Sequence, residues 1–491
     1  MRRTIIATLC VLALGLTAAA SEIPPRPEQL TFPPLSFQPP DPGTMRFELG
    51  NGIPVYARKD AALPLVTVTV AFRGGSYLDP AGKEGLADLT ADAWRSGGAG
   101  DRTAQALDEE LDFLAANLST RIGDVTGQVR LDVLSKDLET GMGLMMDLLT
   151  RPRFQDDRFA KAKDDTIQAM KERNDHTASI ENREWNRLVY GDDYWINHLP
   201  TKASIDAITA DDCKALVARL IRAGNVVVAV AGDFDRPALK ALLERTLGTL
   251  PAVSGPLPPV PQPHPSTEPG VYVVDKPDVN QGRVSVGQMG YRLGYADEFP
   301  LRVMNDILGG GGFTSRITKR VRSDEGLAYS AGSLVSFPTS YPGVFRAFFQ
   351  SKSRTVPGAL RITMDQIDLI RKEKVSDSEL TTAKNSFIEG YPRWFESAER
   401  TATLFATDEL LGRDHGYWLT WREHVREVDA GAVLEAARKD LHPDKMIILV
   451  VGNLAEIMKG HPDYAAKLTD FGPIHKLPLR DPLTLEPLPE Q

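Results

Sequence analysis

Cysteine is almost absent: two residues in 491, with Cys10 inside an N-terminal apolar run and Cys213 alone beyond it. Once that run is removed no internal disulfide can form, so an exported fold has to stand on its packed core. A basic excess is also missing. Lys+Arg 57 against Asp+Glu 66 gives a net charge of −9 with no basic block, which argues against a nucleic-acid partner. The apolar run from Ile5 to Leu16 is shorter than the ~20 residues a membrane span needs. With Met1-Arg2-Arg3 before it and Thr17-Ala18-Ala19-Ala20-Ser21 after it, 1–20 reads as a secretory signal peptide cleaved after Ala20. Cys10 lies within the run and not after it, which speaks against a lipid anchor. The periplasm is the expected destination if the source is a Gram-negative bacterium.

Histidine is sparse, and no two of His176, His198, His264, His415, His424, His442, His461 and His475 stand four apart around a Glu. Thr420-Trp421-Arg422-Glu423-His424 holds only the second half of such a zinc motif. No G-x-S-x-G elbow occurs, although a Ser/His/Asp triad assembled by folding stays open on spacing alone.

What is present is ordinary globular composition, 42% hydrophobic and 25% charged, in a chain too long for one compact core. Prolines crowd 21–44, an extended arm, and again 249–269, a semi-rigid linker. Between them, Arg46-Phe47-Glu48-Leu49 and Ile53-Pro54-Val55-Tyr56 flank Gly50-Asn51-Gly52 as a hairpin. Residues 65–72 alternate as a half-buried strand. Helical spacing follows at 84–95 and 103–116, alternation at 128–133, then helices at 136–150, 155–189 and 210–222, and the buried strand 225–233. Trp185, Tyr190, Tyr194 and Trp195 read as core. Beyond the linker the pattern recurs: 225–232 is echoed at 445–452, 206–210 at 426–430 and, more loosely, 154–159 at 375–380. That length is a duplicated domain and not a solenoid. The expected fold is α+β, two tandem sandwich domains at 45–248 and 270–475, of mostly antiparallel sheet with helices packed on it, and a tail at 476–491.

The most distinctive stretch is Gly309-Gly310-Gly311-Gly312-Phe313-Thr314-Ser315-Arg316, followed by Val321-Arg322-Ser323-Asp324-Glu325-Gly326-Leu327-Ala328-Tyr329-Ser330. The glycines lack the Gly-Lys-Ser/Thr ending of a phosphate loop and instead allow close backbone approach. Ile317 and Val321 share a helical face, and Leu327 to Ser330 opens a strand, so Arg322 near a helix end and Tyr329 in the next strand converge. On residue types alone a surface ion pair and a strand tyrosine fit better than a carbonyl-binding pair.

Together these residues resemble the second-half signature of the pitrilysin, insulysin and mitochondrial-processing-peptidase family of zinc peptidases. The resemblance implies that Arg322 and Tyr329 help to bind substrate, with Gly309, Gly310, Gly311 and Gly312 letting an extended peptide pass close to backbone. Active members carry H-x-x-E-H on a helix of the first half, two His ligands and a Glu base, with a third ligand Glu roughly eighty residues later. Here Gly85-Leu86-Ala87 matches the approach to that motif, but the His positions hold Asp88 and Asp92, the base position Ala91, and the later Glu position Gln168. Alanine accepts no proton and an amide is a poor zinc ligand, so neither catalysis nor zinc is expected in this chain. Asp88 and Asp92 are expected to be a solvated carboxylate pair before a weak hard-cation site. The resemblance thus implies a non-catalytic, substrate-binding subunit of an exported heteromeric endopeptidase, inactive alone, whose H-x-x-E-H-bearing partner holds the zinc. The alternatives are a structural protein of the same fold and a lone peptide-binding protein.

Overall fold

The computed structural model describes Arg26, Leu30, 35–252 and 255–489; the signal peptide and most of the arm lie outside the described residues. Pro42–Met45 forms one helical turn capped by Asp41 and delivers the chain into the first strand. Two six-stranded mixed sheets follow, on either side of 249–269. The first has the order β1-β2-β6-β3-β5-β4 and is built from β1 (Arg46–Glu48), β2 (Pro54–Lys59), β3 (Leu65–Arg73), β4 (Asn117–Ile122), β5 (Thr126–Leu134) and β6 (Val226–Gly232). The second has the order β12-β7-β11-β8-β10-β9, from β7 (Gly270–Asp275), β8 (Gln281–Met289), β9 (Ala328–Val335), β10 (Val344–Lys352), β11 (Ile447–Gly452) and β12 (Ile474–Leu477). Five strands correspond one to one: β2, β6, β3, β5 and β4 repeat as β7, β11, β8, β10 and β9, including the parallel β2–β6 and β7–β11 pairs. The sequence echoes at 225–232 and 445–452 are therefore the same strand of a duplicated sheet.

The two halves exchange a helix. Thr177–Tyr190, from the first half, packs on β8 and β11 of the second sheet, and Ala398–Leu411, from the second half, packs on β2, β3 and β6 of the first. This explains why β6 has lost strand alternation. Val226, Val228 and Val230 join the first-half core while Val227, Ala229 and Ala231 are also buried, on the face that the exchanged helix covers. Each exchange is fastened by charge. Buried Glu181 accepts from Arg283 Nε at 2.6 Å, from Arg346 Nη2 at 3.0 Å and from Ser285 Oγ. On the other helix Glu409 accepts from Arg46 Nη2 at 2.8 Å and from the Tyr56 hydroxyl, and Glu399 pairs with Arg130. Burying Glu181 is tolerable only because two guanidiniums and a hydroxyl satisfy it.

The structure departs from the sequence pattern at three places. The helical spacing at 155–189 is two helices, Asp156–Lys171 and Thr177–Tyr190, parted by a turn at Glu172–Asn174, because the first stays on its own half and the second crosses. Strand β4 was not anticipated. Residues 480–483, expected to be tail, are bonded to the first half: Lys202 N–H donates to Leu483 O at 2.8 Å, Arg173 Nη1 to Pro482 O at 3.0 Å and Asn174 Nδ2 to Arg480 O at 2.7 Å. Among the described residues no helix is long and apolar enough to cross a membrane.

Candidate functional site

After β8 the chain enters the helix Glu298–Asn305, which widens into π-turns at Asp306–Gly310 and Thr318–Asp324 before β9. The glycines are placed by close packing. A Cβ on Gly309 would sit 2.3 Å from Ser333 N and 2.7 Å from Gly332 C, both backbone of β9; on Gly310 it would meet Asn305 Nδ2 at 2.6 Å, and on Gly311 Asp306 O at 2.7 Å. Gly312 alone of the four has open space around it, with φ +62. The glycine run expected to accommodate a passing peptide thus has, at Gly309, Gly310 and Gly311, a requirement internal to the fold. Burial pushes the Asp306 carboxyl beneath this turn up to about 6.

The turn is anchored on both sides. Thr318 Oγ1 donates to Ala331 O at 2.9 Å, and Leu327 N–H to Val321 O at 2.9 Å. Arg316 grips Glu379 with two bonds, at 2.6 and 3.0 Å. That guanidinium holds the Glu379 carboxyl down at about 2, with help from Ser376. Arg320 is engaged by Asp324 and Glu325. Arg322 is different: its guanidinium lies 4.5 Å from the centre of the Phe313 ring and 4.5 Å from that of Tyr329, and no carboxylate of the described residues pairs with it. The stack holds the side chain by cation–π attraction while leaving its N–H donors unspent. Tyr329 is 84% and Phe313 67% exposed, and the Tyr329 hydroxyl makes no hydrogen bond to a described residue. The structure therefore brings Arg322, from the turn Thr318–Asp324, against Tyr329 on β9, the edge of the second sheet. Phe313 was given no role from sequence, because an aromatic beside a glycine run belongs to no periodic face.

The degenerate motif lies against the corresponding edge of the first sheet. Helix Leu86–Ser96 packs on β4 and on helix Asp156–Lys171. It starts from Gly85 at φ +93, and the Asp79 carboxylate accepts from Gly85 N–H at 2.9 Å and Ala87 N–H at 3.0 Å. Leu86, Ala87, Leu89, Ala91 and Trp94 are buried, while Asp88 and Asp92 share the outer face. Burial and then Asp92 and Asp124 raise the Asp88 carboxyl, and burial and then Asp165 raise that of Asp92. Gln168, exposed on the packed helix, accepts from Lys171 Nζ at 3.2 Å. Two carboxylates, a methyl and an amide do not make the His/His/Glu donor set of a catalytic zinc. Among the described residues no three His, Cys, Asp or Glu side chains are grouped to hold a metal ion. Cys213 is buried, its thiol pushed up to about 11, and offers no ligand or nucleophile.

With this geometry in view, three comparisons acquire meaning. Residues 207–387 match the family model described as Peptidase M16 inactive domain. The chain is 25% identical over 347 residues to the non-peptidase homolog YmxG of Helicobacter pylori, covering 69% of this chain and 78% of that one. It superposes on a peptidase M16 inactive domain from Pseudomonas fluorescens with TM-score 0.74 at 23% identity, covering 83% of this chain and 97% of the other. It also superposes on the periplasmic protease PqqL of Escherichia coli with TM-score 0.72 at 17% identity, covering 83% of this chain and 45% of that one. These last two likenesses establish the fold, and in sequence residues 207–387 are similar to a peptidase M16 inactive domain.

Proposed function

We propose that this chain is the non-catalytic, substrate-binding subunit of an exported heteromeric zinc endopeptidase. The observation that carries the reading is Arg322 clamped between two exposed rings with its donors free, in a chain whose motif helix offers Asp88, Ala91 and Asp92 where zinc chemistry needs His, Glu and His. A guanidinium and a phenol aimed at one point can donate to a substrate carbonyl and stabilise charge that develops on it, but they cannot activate water. The hydrolytic metal then has to come from another chain. The length relation to PqqL supports this, since this chain matches under half of that protease and would need a second half to enclose a peptide. The signal-like N-terminus and the periplasmic setting of that neighbour support export.

The test is peptide cleavage by the mature chain, alone and mixed with an H-x-x-E-H-bearing homologue from the same genome, with and without Arg322→Ala. Activity only in the mixture, reduced roughly a hundredfold by Arg322→Ala, is the expected result. Silence in every mixture would favour the proteolytically inert reading, for which the name of the Helicobacter pylori relative is the supporting observation. Activity of this chain alone, abolished by a chelator, would defeat both.

A further inference from the structure

A second charged feature lies away from the Arg322 site. A cavity of about 720 Å³ opens where the end of β3, the end of helix Ala210–Leu220, the linker and the end of helix Ala398–Leu411 meet, lined by Arg73, Arg219 and Arg222 together with Tyr77, Leu257 and Leu410. Neither Arg322 nor Tyr329 reaches it, and no Asp or Glu lines it. In a chain of net charge −9, the cavity gathers three arginines with no carboxylate partner among the described residues.

Helix capping accounts for part of the arrangement. Arg222 Nε donates to Ala218 O at 2.6 Å, and Arg73 donates from Nη1 to Leu410 O at 3.1 Å and from Nη2 to Gly224 O at 3.3 Å. These acceptors are neutral. They orient two guanidiniums without discharging them, and both Nη groups of Arg222 stay unspent. Arg219, exposed, makes neither a hydrogen bond nor an ion pair within the described residues. Arg219 and Arg73 both act on the Tyr77 phenol, opposing the upward push of its burial, so the two charges face one region. The rest of the wall mixes the apolar side chains of Val125, Leu257 and Leu410 with Asn225 and Ser340, and the backbone of 255–257 has no hydrogen-bond partner among the described residues.

We propose that this cavity binds the C-terminal carboxylate of a peptide whose last residue is apolar. Three guanidiniums match a carboxylate with charge-assisted bonds. Leu257, Leu410 and Tyr77 suit one apolar side chain beside it, and the free linker backbone suits the peptide's own amides. A cavity of this volume is far larger than an inorganic anion requires. The site belongs to this chain alone and works without a partner subunit.

The experiment is fluorescence anisotropy of the mature chain with a fluorescein-labelled pentapeptide of glycine and serine ending in leucine, as the free acid and as the C-terminal amide. The free acid is expected to saturate, and the amide to bind at least about tenfold more weakly. Arg219→Gln, at an exposed side chain with no contact to lose, and Arg222→Gln are each expected to weaken the acid by about tenfold. Arg393→Gln, at an exposed arginine that does not line the cavity, is expected to leave binding unchanged. Equal affinity of acid and amide, wild-type affinity in both glutamine variants, or no saturation up to about 1 mM protein would overturn the proposal. Displacement by inorganic phosphate at concentrations near the peptide's own Kd would show a generic anion site and also overturn it. Loss of binding in Arg322→Ala would place the peptide at the Arg322 site, ending this inference while leaving the subunit reading intact.

Discussion

The two halves of this duplicated fold put a helical segment in the same place and use it differently. In the first half, the connection from β3 to β4 lays an unbroken helix, Leu86–Ser96, on β4 before a second helix, Ala104–Phe113; in the second, the stretch between β8 and β9 is broken by four glycines and two π-turns as it rests on β9. The first presents Asp88 and Asp92 to solvent and buries Leu86, Leu89 and Trp94, so its packing is complete without the His and Glu side chains of a zinc motif. The second presents Phe313, Arg322 and Tyr329, whose exposed rings and unpaired cation add little to the fold. The frame decides where a site stands, and the local backbone decides what it offers. Packing accounts for the first helix, whereas the exposed rings and unpaired guanidinium of the second segment are not accounted for by packing.

The strongest way to break the comparison is through the glycines. Gly309→Val places its Cβ into the backbone of β9, which has no rotamer to yield, and is expected to cost about 3 kcal/mol or more in urea unfolding. Gly312→Ala meets open space and pays only for its positive φ, about 1 kcal/mol. Equal costs at the two positions would mean that the run serves flexibility and not close packing.

Much of this contrast was legible in the residues. The spacing from Arg322 to Tyr329 announced a convergent pair, and the alternation of 65–72 announced β3, because both signals are local. Strand β4 escaped notice since its inward positions are Leu118, Thr120 and Ile122, an alternation that a threonine interrupts at a sheet edge. The helix exchange was not legible at all. The burial of Val227, Ala229 and Ala231 can be read from a run of apolar residues, but the run does not say that the cover arrives from Ala398–Leu411, far along the chain. Sequence periodicity records that a face is buried and is silent about which element buries it.

The next effect sharpens the comparison through pH. The second segment is tied to helix Asp377–Gly390 by the Arg316–Glu379 pair, whereas the first-half helix, apart from Arg95 on Asp108 and Leu118 O at its end, meets its neighbours mainly through apolar side chains. Glu379 titrates at about 2 in the fold against an ordinary 4.5, so its contribution is complete above about pH 5 and is lost as pH falls through 2. Arg316→Gln is expected to cost about 2 kcal/mol at pH 6, less than the full shift converts to because both groups keep some solvent contact. The difference from wild type is expected to vanish near pH 2. A difference that persisted there would assign the loss to packing.

The smallest effect tests whether the first helix is chemically silent. The Asp88 side chain reaches solvent, but the surrounding protein still desolvates its carboxyl, and with Asp92 and Asp124 nearby this raises it, so the fold disfavours its charged form. Between the unfolded value of 3.8 and the raised one, the native state holds more protons than the unfolded chain, and stability falls as pH rises through that window. The penalty persists above it. Asp88→Asn removes the penalty, so the variant is expected to be slightly more stable than wild type at pH 7, by less than about 1 kcal/mol since the side chain is exposed, and equal to it below pH 3.8. Zinc is expected to move the Tm of neither protein. A zinc-dependent rise in Tm that Asp88→Asn abolishes would mean that the two carboxylates capture a metal, and the contrast between the two segments would have to be redrawn.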